Sequence, residues 1–272
     1  MTTSASSPNE HSTEQGQDGG TARPDGGTAR PDGGTLPEPQ VQAMFDRIAR
    51  VYDRMNGMMT AGLHHQWRRR AADLAALAPG GRALDIATGT GDLAFELGHR
   101  VAPDGVIVGA DFSENMLSIA RAKADARARV TTAPAGVQLR FEAANALALP
   151  YADDEFDAAT VGFGARNFSD LERGLAEMAR VVRPGGRVVV LEITTPTRGP
   201  MAVALKVWFD NIVPVAGRLA GDAAAYTYLP SSVRRFPPPQ ELAAIMARVG
   251  LSDVRYLLTA GGIIALHSGT VP

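Results

Sequence analysis

Leu84-Asp85-Ile86-Ala87-Thr88-Gly89-Thr90-Gly91-Asp92 is the stretch that decides the fold. A short apolar run, 83–87, enters it as a strand, and a segment of helical character, 93–99, leaves it. Between them Gly89 and Gly91 let the backbone turn tightly and approach a ligand closely. With Ala94 the segment satisfies G-x-G-x-x-A, although such a loop also serves as an ordinary strand-to-helix turn. Further apolar runs follow at 106–110, 137–141, 158–163, 188–193, 254–258 and 263–267, with helical patterns at 116–128, 171–182 and 239–249. Alternation of this kind predicts an α/β fold with a doubly wound, mostly parallel seven-stranded sheet. A turn at Ala260-Gly261-Gly262 predicts that the last two strands form an antiparallel hairpin.

Before the first strand, Val41, Met44, Phe45, Ile48, Val51, Tyr52 and Met55 follow helical spacing, and a second helix is expected over 66–77. Residues 41–272 therefore read as one domain with an N-terminal helical cover. Residues 1–40 hold Ser, Thr, Gly, Pro, Asp and Glu without an aromatic residue, and read as a disordered tail in which Thr-Ala-Arg-Pro-Asp-Gly-Gly occurs twice, at 21–27 and 28–34. The stretch between 193 and 239 reads as irregular, being rich in Pro and Gly.

Composition excludes several functions. The 272 residues carry 27 Lys+Arg against 29 Asp+Glu, so no chain-wide positive field invites nucleic acid. Zero cysteines remove disulfides, thiolate catalysis and cysteine-ligated metals, and five scattered histidines argue against a histidine metal cage. The most apolar long stretch, 201–220, is broken by Lys206, Asp210, Pro214 and Arg218, which a membrane-spanning helix does not tolerate. No secretory signal is evident, and a cytoplasmic location is expected.

The ligand is read from acids. Asp111 ends the second strand, 20 residues after Gly91, where a carboxylate can accept from both hydroxyls of a ribose; capping the helix begun by Ser113 is the other reading. Asp85 and Asp92 flank the glycine loop with no Lys or Arg between them. They would repel a pyrophosphate, but they attract the ammonium and sulfonium of S-adenosylmethionine. The loop therefore favours S-adenosylmethionine over NAD, with an NAD-dependent oxidoreductase as the remote alternative. After the third strand, Asn145-Ala146 supplies an amide able to read an adenine edge, or else a surface turn.

Two longer patterns are more specific. Tyr52-Asp53-Arg54-Met55-Asn56 followed by Thr60, His64 and Trp67, and Arg180-Val181-Val182-Arg183-Pro184-Gly185-Gly186 followed by Leu191, Glu192 and Thr194, resemble the two signatures of the ubiquinone/menaquinone biosynthesis C-methyltransferases. Thr60, Arg183 and Thr194 depart from the family's Ser, Lys and Ser, and keep hydroxyl or charge. Phe163-Gly164-Ala165-Arg166-Asn167 and Tyr226-Thr227-Tyr228-Leu229-Pro230-Ser231 extend the resemblance over residues 41 to 269. It implies a Rossmann-like class I methyltransferase using S-adenosylmethionine, held by Thr90, Asp111 and the Asn145-Ala146 pair. Asp85, Gly89 and Gly91 complete the expected cofactor loop, and Gly162 stands where the family has a serine contact.

The implied reaction is carbon methylation of demethylmenaquinol, a polyprenyl naphthoquinol, or alternatively of the benzoquinol precursor of ubiquinone or another phenolic or lipid acceptor. An Ala- and Arg-rich, Lys-poor composition, the mark of a GC-rich genome, tilts the expectation to menaquinone. No metal is needed. His64 is the expected base because an ordinary imidazole titrates near neutrality, with a packing histidine as the other reading. Arg166 and Asn167 are expected to stabilise and orient a quinolate oxygen, a structural Arg–carboxylate pair being the competing account. Tyr226 and Tyr228 are expected to pack the substrate channel. Met201, Leu205, Trp208, Phe209, Ile212, Val213 and Val215 are expected to line the path of a prenyl tail and touch the membrane surface, or else to face the core.

Overall fold

A computed structural model describes residues 37–60, 62–130, 136–196, 199–208 and 223–272. The residues read from sequence as a tail lie outside this range, except that helix α1, Glu38–Thr60, starts three residues earlier than the expected boundary. Helix α2 spans His64–Leu74, two residues ahead of its expected start. Then follow β1 Arg82–Ile86, α3 Asp92–Val101, β2 Val106–Asp111, α4 Glu114–Arg129, β3 Gln138–Ala143 and β4 Phe156–Gly162. After a 3₁₀ turn at Ala165–Asn167 come α5 Leu171–Arg180 and β5 Val182–Ile193. The chain continues with α6 Pro200–Val207, α7 Ala223–Arg235, α8 Pro239–Arg248 and the hairpin β6 Ser252–Thr259 and β7 Ile264–Thr270.

The expected sheet is present: seven strands in the order β3-β2-β1-β4-β5-β7-β6, with β1 to β5 parallel and β7 antiparallel to both its neighbours. Strand order reverses at β1, which places the ends of β1 and β4 at the crevice where open α/β sheets bind ligands. Successive residues of a strand face opposite sides. Leu84, Ile86, Val108, Val161 and Val190 therefore pack in one core layer, and Ala83, Ile107, Ala158, Val189 and Leu191 in the other. A third cluster lies under α1, where Val41, Met44, Ile48 and Ala49 are buried with Met116, Leu205 and Tyr228.

One expectation needs correction. The stretch after β5 contains helices α6 and α7 among its described residues, the latter with Pro230 inside it. Proline costs a helix one N–H bond, so its presence lowers helical expectation without forbidding the helix where tertiary contacts hold it; here Tyr228, Ser232 and Val233 are buried. No helix among the described residues is long and apolar enough to cross a membrane.

Candidate active site

At the C-terminal ends of β1, β2 and β4 lies a cavity of about 450 Å³, within the range of small-molecule sites. One wall is Ala87, Gly89, Asp111 and Phe112; a second is the Ala143–Leu147 turn, numbered 143–147; a third is Gly162, Phe163, Asn167 and Phe168; and α1 roofs it with Glu38, Val41, Gln42 and Phe45. Ala87 and Phe163, which follow β1 and β4, take left-handed backbone with φ of +51° and +60°. Such conformations cost energy in non-glycine residues and concentrate at functional sites. Here both strands bend sharply where they meet the cavity.

Asp111 is 6% exposed and faces this space. Its Oδ2 accepts from Gly89 N at 2.8 Å and its Oδ1 from Ser113 N at 2.9 Å. Burial nevertheless pushes its pKa up to about 6 against these bonds. Backbone N–H groups of Ser113, Gly89 and Phe112 all favour its charged form, and of the roughly four acceptor positions on a carboxylate these leave about one. The N-cap of α4 is Ser113 itself, whose hydroxyl accepts from Met116 N at 3.2 Å. Gly89, with φ of +56°, has open space where a side chain would start, which makes it the point of closest backbone approach.

Other expected cofactor residues are placed differently. Asp85 is 1% exposed and does not line the cavity. It stands opposite Thr160 in the β1–β4 register and accepts from the hydroxyls of Thr88 at 2.6 Å and Thr160 at 2.7 Å. Burial pushes its pKa up to about 6. Thr90 donates to Asp53 of α1 at 2.6 Å and accepts from Lys123 of α4 at 3.2 Å. Gly91, φ +84°, caps α3 beneath the Phe141 ring. Asp92 pairs with Arg68 at 3.0 Å and with Lys123, which hold its pKa below the usual carboxylate value despite burial. The acids flanking the loop are thus not an unscreened negative wall, because cations from α2 and α4 reach Asp92 across the fold.

Asn145 and Ala146 do line the cavity. The Asn145 side chain accepts from Leu147 N at 2.8 Å and donates to Glu38 at 3.4 Å, leaving one amide hydrogen and one lone pair. Gly162 also borders the space, and a Cβ there would approach Leu93 to 3.1 Å.

Of the three expected catalytic residues, the structure brings Asn167 to the cavity and not the other two. His64 is buried at the start of α2, with Nδ1 2.6 Å from the Thr60 hydroxyl. Burial first, then Arg68 and His65, depress its pKa to about 4. The ordinary value on which its role as a base was expected does not apply. Arg166 forms an ion pair with Glu192 at 2.8 Å and donates to the Phe163 carbonyl, the geometry of the structural account. Glu192 also accepts from the backbone N–H groups of Arg166 and Ile193, at 3.2 and 2.8 Å. Asn167 accepts from the Tyr228 hydroxyl at 3.0 Å. Tyr228 itself is buried in the cluster under α1 and does not line the cavity. The side chains of Met201 and Tyr226, and residues Phe209, Ile212, Val213 and Val215, lie outside what the structure describes. Leu205 is buried and Trp208 packs partly against the cluster under α1.

Sequence reasoning missed the roof. Glu38, Gln42 and Phe45 belong to a helix that periodicity predicts, but periodicity does not say which loops that helix covers. Gln42 donates to Phe112 O at 2.6 Å and Ser113 donates to Asp46 at 2.5 Å, directly after Asp111.

Comparison with known proteins agrees with this architecture. The demethylmenaquinone methyltransferase of Thermus thermophilus is 48% identical over 230 residues, covering 84% of this chain and 100% of that protein. The protein of the same name from Roseiflexus castenholzii is 46% identical over 240 residues, covering 86% of this chain and 96% of its own. Among solved structures, a SAM-dependent methyltransferase of Thermotoga maritima, a possible histamine N-methyltransferase, superposes with a TM-score of 0.56 at 20% identity, covering 85% of this chain and 99% of its own. That likeness identifies the fold as the class I methyltransferase one. The model of the ubiE/COQ5 methyltransferase family matches residues 34–271, and the chain belongs to that family.

Proposed function

We propose that this chain transfers a methyl group from S-adenosylmethionine to a ring carbon of a demethylmenaquinol, which loses its ring proton, giving a menaquinol, S-adenosylhomocysteine and a proton. The observation that carries the reading is Asp111: a buried carboxylate on the cavity wall with acceptor capacity left over, beside a glycine whose missing side chain leaves open space. That pair fits a ribose diol lying against backbone. The names of the relatives at 48% and 46% identity support the quinol as acceptor.

When bound, S-adenosylmethionine supplies an electrophilic methyl group on a positively charged sulfur. The protein's own part is positioning and electrostatics. Asp111 and the Gly89 backbone hold the ribose. Phe45, Phe112 and Met116 give the nucleoside end an apolar lining. At the other end, Asn167 faces the acceptor ring with Phe163 and Phe168 beside it. A donor on a ring oxygen favours the quinolate, which places electron density on the neighbouring carbon. Arg166, paired with Glu192, holds the 3₁₀ turn that carries Asn167.

The lipid tail suggests a peripheral membrane contact. Val203 and Val207, one turn apart on α6, are 64% and 49% exposed, while Leu205 on the opposite side is buried. This gives the helix an apolar outer stripe suited to a bilayer interface.

Methyl transfer from labelled cofactor to a short-chain demethylmenaquinol, run beside the corresponding benzoquinol, tests the reading. Asp111→Ala is expected to lose cofactor affinity. Asn167→Ala is expected to keep affinity and lose turnover. Absence of label in either quinol with the unaltered chain would refute the assignment.

A further inference from the structure

We propose that Tyr228 is a positioning residue that orients the amide of Asn167, so that its NH₂ group and not its oxygen meets the ring oxygen of the acceptor. The inference rests on the quinol methylation proposed above. It follows from the Tyr228 hydroxyl lying 3.0 Å from Asn167 Oδ1 at the edge of the cavity.

A carboxamide has one acceptor oxygen and two donor hydrogens, and a half-turn about its last bond exchanges them. At Asn167 the oxygen is engaged by Tyr228, a residue of α7 that is 7% exposed. Burial holds the phenol above its ordinary pKa, so it remains a donor across the physiological range. In this orientation the Asn167 oxygen keeps one lone pair and the amide keeps both of its N–H donors. The charged groups around Tyr228 are Arg166 and Glu192, which pair with each other, and Arg235 of its own helix, 5.9 Å over its ring. Asp111 and Glu38 are the carboxylates lining the cavity. A contact through the NH₂ favours a quinolate over a quinol, whereas a freely turning amide would offer its oxygen half the time and repel the anion.

The test compares the unaltered enzyme with Tyr228→Phe, which deletes one oxygen. Three quantities are measured: kcat, cofactor dissociation constant, and the ionisation of 1-naphthol bound beside S-adenosylhomocysteine, followed by absorbance. The expected result is a kcat lower by about tenfold, an unchanged cofactor dissociation constant, and a bound naphthol that ionises about one pH unit higher. Asn167→Asp keeps the acceptor for Tyr228 and removes the donors, so it must raise the naphthol ionisation at least as far, whether or not the phenylalanine variant folds. Wild-type kcat and naphthol ionisation in Tyr228→Phe, or a kcat loss that appears only together with lost cofactor affinity, would overturn the proposal. If the unaltered enzyme methylates no quinol, the preceding reading fails, and the naphthol comparison still decides the role of Tyr228.

Discussion

Arg166 and Glu192 form an ion pair at 2.8 Å, with side chains only 7% and 1% exposed. Buried pairs of this kind add little over an apolar replacement of both partners, but removing one partner strands the other's charge, which costs about 3–5 kcal/mol. Glu192→Met is expected to lower unfolding free energy by that amount in urea titrations. The double variant Arg166→Met/Glu192→Met should recover most of the loss. Equal destabilisation of single and double variants would show that the pair is not what holds the turn.

Four buried groups set opposing pH dependences. His64, depressed to about 4, and His267, also depressed by burial, favour the neutral form in the folded chain. Their contribution to stability is present above pH 6.5 and is lost as pH falls toward the folded values. Asp85 and Asp111, raised to about 6, favour the protonated form. Their contribution is present below about pH 3.8 and is lost as pH rises through 6. A shift of this size corresponds to about 3 kcal/mol per group. Asp85→Asn keeps the shape between Thr88 and Thr160 and removes one downward limb. Its stability relative to the unaltered chain should therefore be greater at pH 7 than at pH 4 by about 2 kcal/mol in paired urea titrations, because part of the contribution is already lost at pH 4. A difference that does not change with pH would mean that Asp85 is not held protonated-prone by burial.

The fold was readable because it depends on local pattern. Strand runs, the glycine loop and Asp111 at the end of β2 all sit where spacing predicts, since the sheet's period and the position of the loop are properties of contiguous residues. What was not readable depends on residues distant in sequence. Thr90 turns toward Asp53 of α1, and Asp92 meets Arg68 and Lys123; nothing within the loop's own sequence announces those partners. His64 was assigned an ordinary pKa because burial and the nearby Arg68 are tertiary facts. The place of Asn167 after β4 is legible, but its hydrogen-bond partner is not, because the Tyr228 hydroxyl arrives from 61 residues further on.

Gly89 and Gly91 are both left-handed, yet substitution by alanine should separate their roles. A Cβ at Gly91 would lie 2.8 Å from the Phe141 ring, so the core must move. Backbone strain and overpacking together are expected to cost about 2–4 kcal/mol. At Gly89 a Cβ meets nothing within 4 Å, and only the backbone strain of about 1–2 kcal/mol applies. The added methyl enters the cavity, however, and cofactor affinity measured by calorimetry should fall. If Gly89→Ala binds cofactor normally, the loop is not the surface against which the nucleoside lies.

Val203 and Val207 on the outer side of α6 offer a test of the proposed membrane contact. Val203 and Val207 contribute little to the core, being largely exposed, so Val203→Ser/Val207→Ser should leave the unfolding midpoint nearly unchanged. Apolar side chains at an interface add binding free energy roughly in proportion to the area they bury. Co-sedimentation with vesicles carrying a long-chain demethylmenaquinol should therefore drop, while turnover of a short-chain acceptor in solution stays the same. Unaltered co-sedimentation would move the membrane contact to another face, and a parallel loss of short-chain turnover would mean that the stripe serves the active site directly.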